Sequence, residues 1–236
     1  MAFRAPAGLT QSRKCVPSGL RQALPGCETN TGGARPHSYS TVGSSSTSRA
    51  SGATGRPLAS ERPLSRDEIV ALVTEVADEL LVHEPRQTIV VVGGSLLAWH
   101  GLRATTADVD SIRRLDPDVQ EAVARVASRH DLAPRWLNDS AAAYWPLTLD
   151  ESDCDVLLDH RGLLVLGAPY RAVFLMKLLA ARAADYDDLV RLWPRCGFGS
   201  PAEAAAEMYA AFPAAPDDPF LAEFVQRIAD SAEACG

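Results

Sequence analysis

One stretch of the chain, residues 88–114, constrains the fold more than any other. The apolar run at 89–92 is typical of a buried β-strand, and two consecutive glycines follow it. A short apolar helix is predicted at 95–101, where Gly101 suits the position that follows a helix end. A second strand is predicted at 108–114. The stretch therefore predicts a strand, a tight turn, a helix and another strand in close succession.

Two aspartates and two glycines in this stretch indicate a chemical role. Asp108 and Asp110 lie on the same side of an extended chain, because side chains alternate along a strand. Gly93 and Gly94 permit a tight turn and a close approach to a ligand. Ser95 adds a hydroxyl to the N–H groups at the helix start, which favour phosphate. Mg²⁺ is often bound by one or two carboxylates together with substrate phosphates. We therefore predict a site for a divalent cation and a phosphate.

The remaining elements follow from hydrophobic periodicity and from helix-capping patterns. Ser65 and Glu68 form a predicted capping box at the start of the first helix. The predicted helices are 66–83, 117–130, 170–183 with an extension to 193 left open, 201–211 and a last one from 219, and two further strands are predicted at 153–158 and 162–166. This order predicts an α/β (α+β) fold with a small mixed β-sheet and a helical C-terminal half. We expect one domain at 63–236, with its sheet core at 63–168 and its helical part at 169–236.

Residues 1–60 differ in composition from the rest of the chain. They are rich in Ser, Gly, Pro, Thr and Arg and lack hydrophobic periodicity, so we predict a disordered segment. Its net charge is +6, and three interpretations stay open: a transit peptide, a flexible basic arm, or upstream sequence included by a wrong start codon. The whole chain carries −7, which leaves −13 for the part from residue 61 onward. This acidic balance argues against a broad nucleic-acid-binding surface, although a local basic cleft near Arg103, Arg113 and Arg114 stays open.

Cysteine content and hydropathy bear on the compartment. The five cysteines are scattered, odd in number and without a CxxC pair. A disulfide scaffold or a structural zinc site is therefore not expected, and a reducing cytoplasm is the predicted location. The sequence contains no apolar run long enough for a membrane-spanning helix, so no such helix is predicted.

The motifs of the central stretch resemble the signature of the polymerase-beta-like nucleotidyltransferase superfamily. In this chain the signature reads Val92-Gly93-Gly94-Ser95, then a helix, then Asp108-Val109-Asp110. Ser111 stands where that family usually has a hydrophobic residue.

A second stretch resembles a block found in small bacterial nucleotidyltransferase-like proteins, which include the AbiEii-type toxins. It reads Phe174-Leu-Met-Lys177-Leu-Leu-Ala-Ala-Arg182-Ala-Ala-Asp185-Tyr-Asp-Asp188-Leu189. The resemblance covers roughly residues 65–213 and implies the nucleotidyltransferase fold.

The resemblance also implies a role for each motif residue. Those implied to bind the nucleotide and its phosphates are Gly93, Gly94, Ser95 and Arg103. Those implied to hold Mg²⁺ or Mn²⁺ are Asp108, Asp110 and a third carboxylate on a neighbouring strand, for which Asp155 is preferred over Asp153 and Asp159. Lys177 would hold the triphosphate or assist the chemistry, and Asp185 or Asp188 would be the acid of the last motif.

The function implied is an Mg²⁺-dependent nucleotidyltransferase. It would move a nucleoside monophosphate from an NTP to an acceptor hydroxyl on RNA, such as tRNA, or on a protein. The resemblance extends to the toxin of a toxin–antitoxin pair, with a cognate antitoxin as partner. One alternative is a degenerate nucleotidyltransferase-like module that binds a nucleotide or a partner protein without catalysis, as expected where the third carboxylate is missing. Another is a nucleic-acid-associated protein that binds through residues 1–60.

Helix geometry raises a question about the second motif. Lys177 and Asp188 are eleven residues apart, which places them on one helix face within about 20° but about 16 Å apart along a continuous helix. Either the helix breaks between them or Asp188 serves the structure. Among the other candidates, His100 is predicted to be structural, and Trp136 or Tyr144 is a candidate for stacking on a base.

Overall fold

The strand predicted at 88–92 lies at the centre of a five-stranded mixed sheet. The computed structural model describes residues 62–80 and 85–235, all within the unit Arg56–Gly236. Residues 1–60, with their predicted disorder and its three interpretations, lie outside the described residues. Within the described part the fold is mixed α/β, which confirms the predicted class.

Strands and helices are interspersed in the first part of the described chain, and only helices follow the last strand. The strands are β1 (Leu64–Ser65), β2 (Gln87–Val92), β3 (Thr105–Thr106), β4 (Val109–Ser111), β5 (Leu137–Asn138), β6 (Asp155–Asp159) and β7 (Leu163–Gly167). The α-helices are α1 (Arg66–Glu79), α2 (Gly93–Trp99), α3 (Pro117–His130), α4 (Tyr170–Ala180), α5 (Tyr186–Cys196), α6 (Pro201–Ala211) and α7 (Leu221–Cys235). Short 3₁₀ helices lie at Ser140–Tyr144, Glu151–Asp153 and Ala183–Asp185.

The strand order β5-β4-β2-β7-β6 determines which side chains are neighbours. β2 is parallel to β7 and antiparallel to β4, where Val92 lies opposite Asp110. β4 is parallel to β5, where Asp110 lies opposite Asn138. β6 forms the other edge of the sheet, antiparallel to β7. Asp110 therefore has β2 on one side and Asn138 on the other.

The core contains one polar side chain at a position where the superfamily signature has a hydrophobic residue. Ser111 is fully buried in β4. Its Oγ accepts a hydrogen bond from the Val90 N–H at 3.3 Å and donates one to the Arg113 carbonyl at 2.7 Å. A buried hydroxyl is tolerated there because it both accepts and donates a hydrogen bond.

Side chains cap two of the predicted helix starts. The Ser65 hydroxyl accepts from the Glu68 N–H while the Glu68 carboxylate accepts from the Ser65 N–H, which confirms the predicted capping box. The hydrogen bond from the Ser65 backbone is the largest cause that lowers the pKa of Glu68 to about 2. Ser200 caps α6 by accepting the Glu203 N–H at 3.1 Å, whereas the Glu203 carboxylate accepts from the N–H of Gly199.

Several predicted boundaries are corrected. α1 ends at Glu79 rather than at 83, and α2 begins at Gly93 rather than at 95. The second strand of the motif covers only Val109–Ser111 instead of 108–114. β5 was not predicted. It is a strand of two residues, which is too short to show an alternating pattern.

The predicted helix of the second motif is broken. α4 ends at Ala180, and Ala181 has a φ of 49°, in the left-handed region that ends helices. A short 3₁₀ helix follows before α5 begins at Tyr186. An extension of α4 to 193 as one continuous helix is therefore wrong. The break turns the chain back, so that residues on α5 face residues on α4.

Candidate functional site

The glycine turn brings two side chains against the backbone. Gly93 has a φ of +65°, and a Cβ there would lie 3.4 Å from Oδ2 of Asp110. A Cβ on Gly94 would lie 3.1 Å from both Nη1 of Arg103 and Oγ1 of Thr106. Glycine at 93 therefore permits the left-handed backbone conformation, and glycine at 94 leaves room for the guanidinium. Both glycines border the cavity described below, as predicted for a ligand site.

Ser95 has a different position from the one predicted. Its side chain is buried, and its Oγ donates to the Val92 carbonyl at 2.8 Å. The same oxygen accepts the backbone N–H of Asp110 at 3.3 Å. Ser95 does not line the cavity, so the structure does not bring its hydroxyl to a phosphate position. Its hydroxyl instead ties the glycine turn to the strand that carries Asp110.

Asp108 and Asp110 lie together in the cavity, as their alternation predicted. Both are half-buried. Burial is the largest cause that raises the pKa of Asp110 to about 6, and the charge of Asp108 raises it further. The side chain of Asn138 and the charges of Arg182 and Lys177 partly offset this rise. A bound cation would stabilise the ionised form of these two half-buried carboxylates, because it offsets the repulsion between them.

The cavity has a volume of about 660 Å³ and two chemically different walls. Its polar lining consists of Gly93, Gly94, Arg103, Thr106, Asp108, Asp110, Ser140, Lys177, Arg182 and Asp185. Its apolar lining consists of Val92, Ala107, Ala141, Val173, Met176, Leu179 and Ala180, and Tyr144 borders it with 56% of its surface exposed. Residues from both sequence motifs, about seventy positions apart, therefore meet in one cavity.

Lys177 is held by both acids of the second motif. Its Nζ lies 2.5 Å from Oδ1 of Asp185 and 3.1 Å from Oδ2 of Asp188. Lys177 is only 7% exposed and Asp188 only 3%. Of the two alternatives that helix geometry left open, the structure has the broken helix, and the break after Ala180 allows this contact. Asp185 lines the cavity and Asp188 does not.

Two arginines add positive charge to the cavity. Nη1 of Arg103 lies 3.1 Å from Oδ2 of Asp188, while its side chain is still 43% exposed. Arg191 also contacts Asp188, at 3.2 Å, and does not line the cavity. Arg182 lines the cavity, is exposed, and forms no ion pair with any residue that the structure describes. Arg103 and Arg182 are thus available to an anionic ligand.

Asp155 does not join the carboxylate pair, which corrects its predicted role as the third metal ligand. It lies opposite Gly167 on β6, and β7 and β2 separate β6 from β4. Three strand spacings place it about 14 Å from β4. The alternatives Asp153 and Asp159 do not line the cavity either. The position next to Asp110 on the neighbouring strand is occupied instead by Asn138.

The donor set determines which cation fits. Among the described residues no group of three His, Cys, Asp or Glu side chains is arranged to hold a metal ion. Asp108 and Asp110 supply two adjacent carboxylates, and the nitrogen Nδ2 of Asn138 lies 3.5 Å from Oδ2 of Asp108. Two carboxylates fit one hard cation such as Mg²⁺, which completes its coordination with water and substrate phosphates. The residues present therefore fit one such ion at this position.

The other predicted candidates lie outside the site or at its border. His100 contacts the ring of Tyr170 edge-on at 5.3 Å, and burial is the largest cause that lowers its pKa. Trp136 is buried, with its Nε1 donating to the Val123 carbonyl at 3.4 Å, so it cannot stack on a ligand. Arg113 pairs with Glu151 at 2.6 Å, away from the cavity. Only Tyr144 remains as an aromatic side chain near a ligand position.

Asn138 is the site residue that sequence patterns missed. It belongs to the run Trp136-Leu-Asn-Asp139, which follows α3 and carries only two apolar residues before the polar pair. A strand this short has no periodicity, so its pairing with β4 was not predictable. The available signal was the apolar pair itself, because such a pair after a helix permits a short strand.

Comparisons with protein-family models, with curated proteins and with solved structures find no match to this chain. The case for a function therefore rests on the two motifs and on the cavity where they meet. Within residues 62–80 and 85–235, no helix is both long and apolar enough to cross a membrane.

Proposed function

We propose that the cavity binds a nucleoside triphosphate together with one Mg²⁺ or Mn²⁺ ion and transfers the nucleoside monophosphate to an acceptor hydroxyl. One observation carries the proposal: the glycine turn, the carboxylate pair and the cations of the second motif line the same cavity. Its volume of about 660 Å³ suits a nucleotide, because small-molecule sites commonly measure 300–1,000 Å³.

The two walls of the cavity suit the two ends of an NTP. The apolar wall, formed mainly by α4, suits the base and the sugar, with the exposed ring of Tyr144 beside it as a stacking surface. The polar wall suits the triphosphate, since Arg103 and Arg182 present guanidinium donors that match phosphate oxygens. Asp108 and Asp110 would lie where a cation meets the phosphates.

The proposed transfer is a substitution at the α-phosphorus. The acceptor oxygen forms a bond to this phosphorus while the bond to the bridging oxygen of pyrophosphate breaks, and the electron pair leaves with pyrophosphate. A divalent ion at Asp108 and Asp110 would supply charge neutralisation for the phosphates. The hydroxyl proton passes to solvent water, because the Asp110 carboxylate that holds the cation is not a free base.

Lys177 has a narrower role in this proposal than the resemblance implies. Its ammonium contacts two carboxylates and is almost covered, so a triphosphate must displace Asp185 before it contacts Nζ. Without that displacement, Lys177 still contributes its positive charge, which lowers the pKa of Asp110. The first contacts with the phosphates would then come from Arg103 and Arg182.

The acceptor and the partner come from the resemblance alone. An acceptor hydroxyl on tRNA, on another RNA or on a protein is proposed, and a cognate antitoxin is proposed as the binding partner. The part from residue 61 onward is strongly acidic, so an RNA acceptor would contact it only locally. The basic side chains that line the cavity suit such a contact.

Transfer of label tests the proposal directly. Purified protein is incubated with each of the four α-³²P-labelled NTPs, Mg²⁺ or Mn²⁺, and either total tRNA or cell lysate. We expect labelled RNA or protein with the wild type and at least a hundredfold less with Asp108→Ala. Asp217→Ala, in an exposed loop outside the cavity, is the matched control and should label like the wild type. Equal labelling by wild type and Asp108→Ala would refute the assignment.

A second function is favoured by Asn138 in the place of a third carboxylate. A nucleotide-binding module without transfer activity needs only the phosphate contacts and one cation. The two functions differ in a single result: the module binds NTP in the presence of Mg²⁺ but transfers no label to any acceptor in the lysate.

A further inference from the structure

The side chain of Asn138 lies against the carboxylate pair with a defined orientation. Asn138 is 6% exposed and lies opposite Asp110 on the parallel strand β5. Its Oδ1 accepts the backbone N–H of Ser140 at 2.9 Å, at the start of the 3₁₀ helix Ser140–Tyr144. Its Nδ2 lies 3.5 Å from Oδ2 of Asp108. The two ends of the amide thus have different partners.

Hydrogen-bond chemistry fixes which end of the amide faces the carboxylates. A backbone N–H can be accepted only by the amide oxygen, because the NH₂ group of asparagine is a donor. The contact with Ser140 therefore directs the oxygen away from the pair and the NH₂ group towards it. An NH₂ group offers hydrogens to carboxylates but no electron pair to a metal ion.

We propose that Asn138 is a positioning residue that presents N–H donors to Asp108 and Asp110 and thereby limits this site to one divalent cation. This inference rests on the proposed function, because it concerns the cation site of that function. The two carboxylates share one ion, and the third protein ligand that a second ion requires is replaced by a donor that repels cations.

An isosteric substitution reverses this arrangement. In Asn138→Asp, one carboxylate oxygen still accepts the Ser140 N–H, and the other replaces Nδ2 beside Asp108. The pair then becomes a group of three carboxylates with almost no change of shape. Asn138→Ser is a second variant, which removes the N–H donors and keeps an oxygen that can accept the Ser140 N–H.

Binding of Mn²⁺ alone, followed by the electron paramagnetic resonance signal of free Mn²⁺, tests the inference. The wild type should bind one Mn²⁺ per chain at this site, and Asp108→Ala should abolish it. Asn138→Asp should bind Mn²⁺ at least tenfold more tightly, and Asn138→Ser at least threefold more tightly. Ser140→Asp is the matched control, since it adds a carboxylate to the cavity border two residues away, and its affinity should rise less than threefold.

Three results would overturn the inference: two Mn²⁺ ions in the wild type, unchanged affinity in both Asn138 variants, or a gain in Ser140→Asp equal to that in Asn138→Asp. If Asn138→Asp does not fold, Asn138→Ser alone decides.

The outcome of the Mn²⁺-binding experiment is separate from that of the label-transfer experiment. One bound Mn²⁺ without label transfer refutes the proposed function, whereas label transfer by a wild type that binds two Mn²⁺ refutes the role of Asn138.

Discussion

Two pairs of aspartates near one cavity differ in how their charge is compensated. Asp108 and Asp110 form no ion pair with any described residue, and the pKa of Asp110 is raised to about 6. Asp185 and Asp188 share Lys177, and Asp188 is contacted by two arginines as well. Only the second pair is in direct contact with its counter-charges, whereas the charges of Arg182 and Lys177 offset just part of the rise in the pKa of Asp110.

We interpret the second pair as structural and propose the first as a ligand site. A buried carboxylate that no cation contacts lowers the stability of the folded chain. The first pair therefore does not stabilise the fold when no ligand is bound. Raised pKa values of this kind cluster at sites that bind or react with ligands. The second pair instead holds Lys177 of α4 against the segment that follows it, and Asp185 lines the cavity. The mutations below test this contrast.

The largest effect is expected at Asp188. Asp188→Asn removes a charge that three cations share, at a position only 3% exposed. Breaking a buried ion pair from one side costs about 3 kcal/mol or more. We expect a loss of this size in the free energy of unfolding, measured by urea denaturation.

The neighbouring Asp187 provides the control for this measurement. It is exposed at the start of α5, so Asp187→Asn should change the free energy of unfolding by no more than about 0.5 kcal/mol. A loss below about 1 kcal/mol in Asp188→Asn would contradict the structural role of the second pair.

A smaller effect of opposite sign is expected at Asp110. The pKa of its carboxyl in the folded chain, about 6, lies above the usual 3.8, so ionisation costs the folded state stability as the pH rises through this window. The cost is absent below about pH 4, complete above about pH 6, and at most about 3 kcal/mol. Asp110→Asn should therefore be more stable than the wild type at pH 7.5 in EDTA and equally stable at pH 4.

Urea denaturation at the two pH values, with and without Mn²⁺, checks this prediction. Mn²⁺ should stabilise the wild type and have little effect on Asp110→Asn, because a ligand stabilises only the folded form that binds it. An Asp110→Asn variant less stable than the wild type at pH 7.5 in EDTA would show that the first pair is also structural.

The first pair was predictable from sequence, because everything that places it is local. A buried strand, two glycines, a short helix and an alternating Asp-x-Asp lie within one run of the chain. The tight glycine turn and the shared side of the two aspartates follow from short-range geometry, whereas the antiparallel pairing of Val92 with Asp110 was not predicted. The start of α2, the bounds of β4 and the internal use of the Ser95 hydroxyl differed from expectation.

The surroundings of both pairs were less predictable, because they depend on long-range packing. The break at Ala181 occurs in an alanine-rich run without glycine or proline, so no local signal marks it; the contacts of Lys177 with Asp185 and Asp188 accompany it. The resemblance implied that Asp155 lies on a strand next to β4, but β7 and β2 separate its strand from β4.

The most direct test of the contrast is equilibrium binding of a non-hydrolysable NTP analogue by calorimetry. The wild type is titrated in Mg²⁺ and in EDTA, and Asp108→Ala and the control Asp217→Ala are titrated in Mg²⁺. We predict binding by the wild type and the control in Mg²⁺, and at least tenfold weaker binding in EDTA and in Asp108→Ala. Equal affinity in EDTA, or in Asp108→Ala, would contradict the proposal that Asp108 and Asp110 hold the cation of a nucleotide.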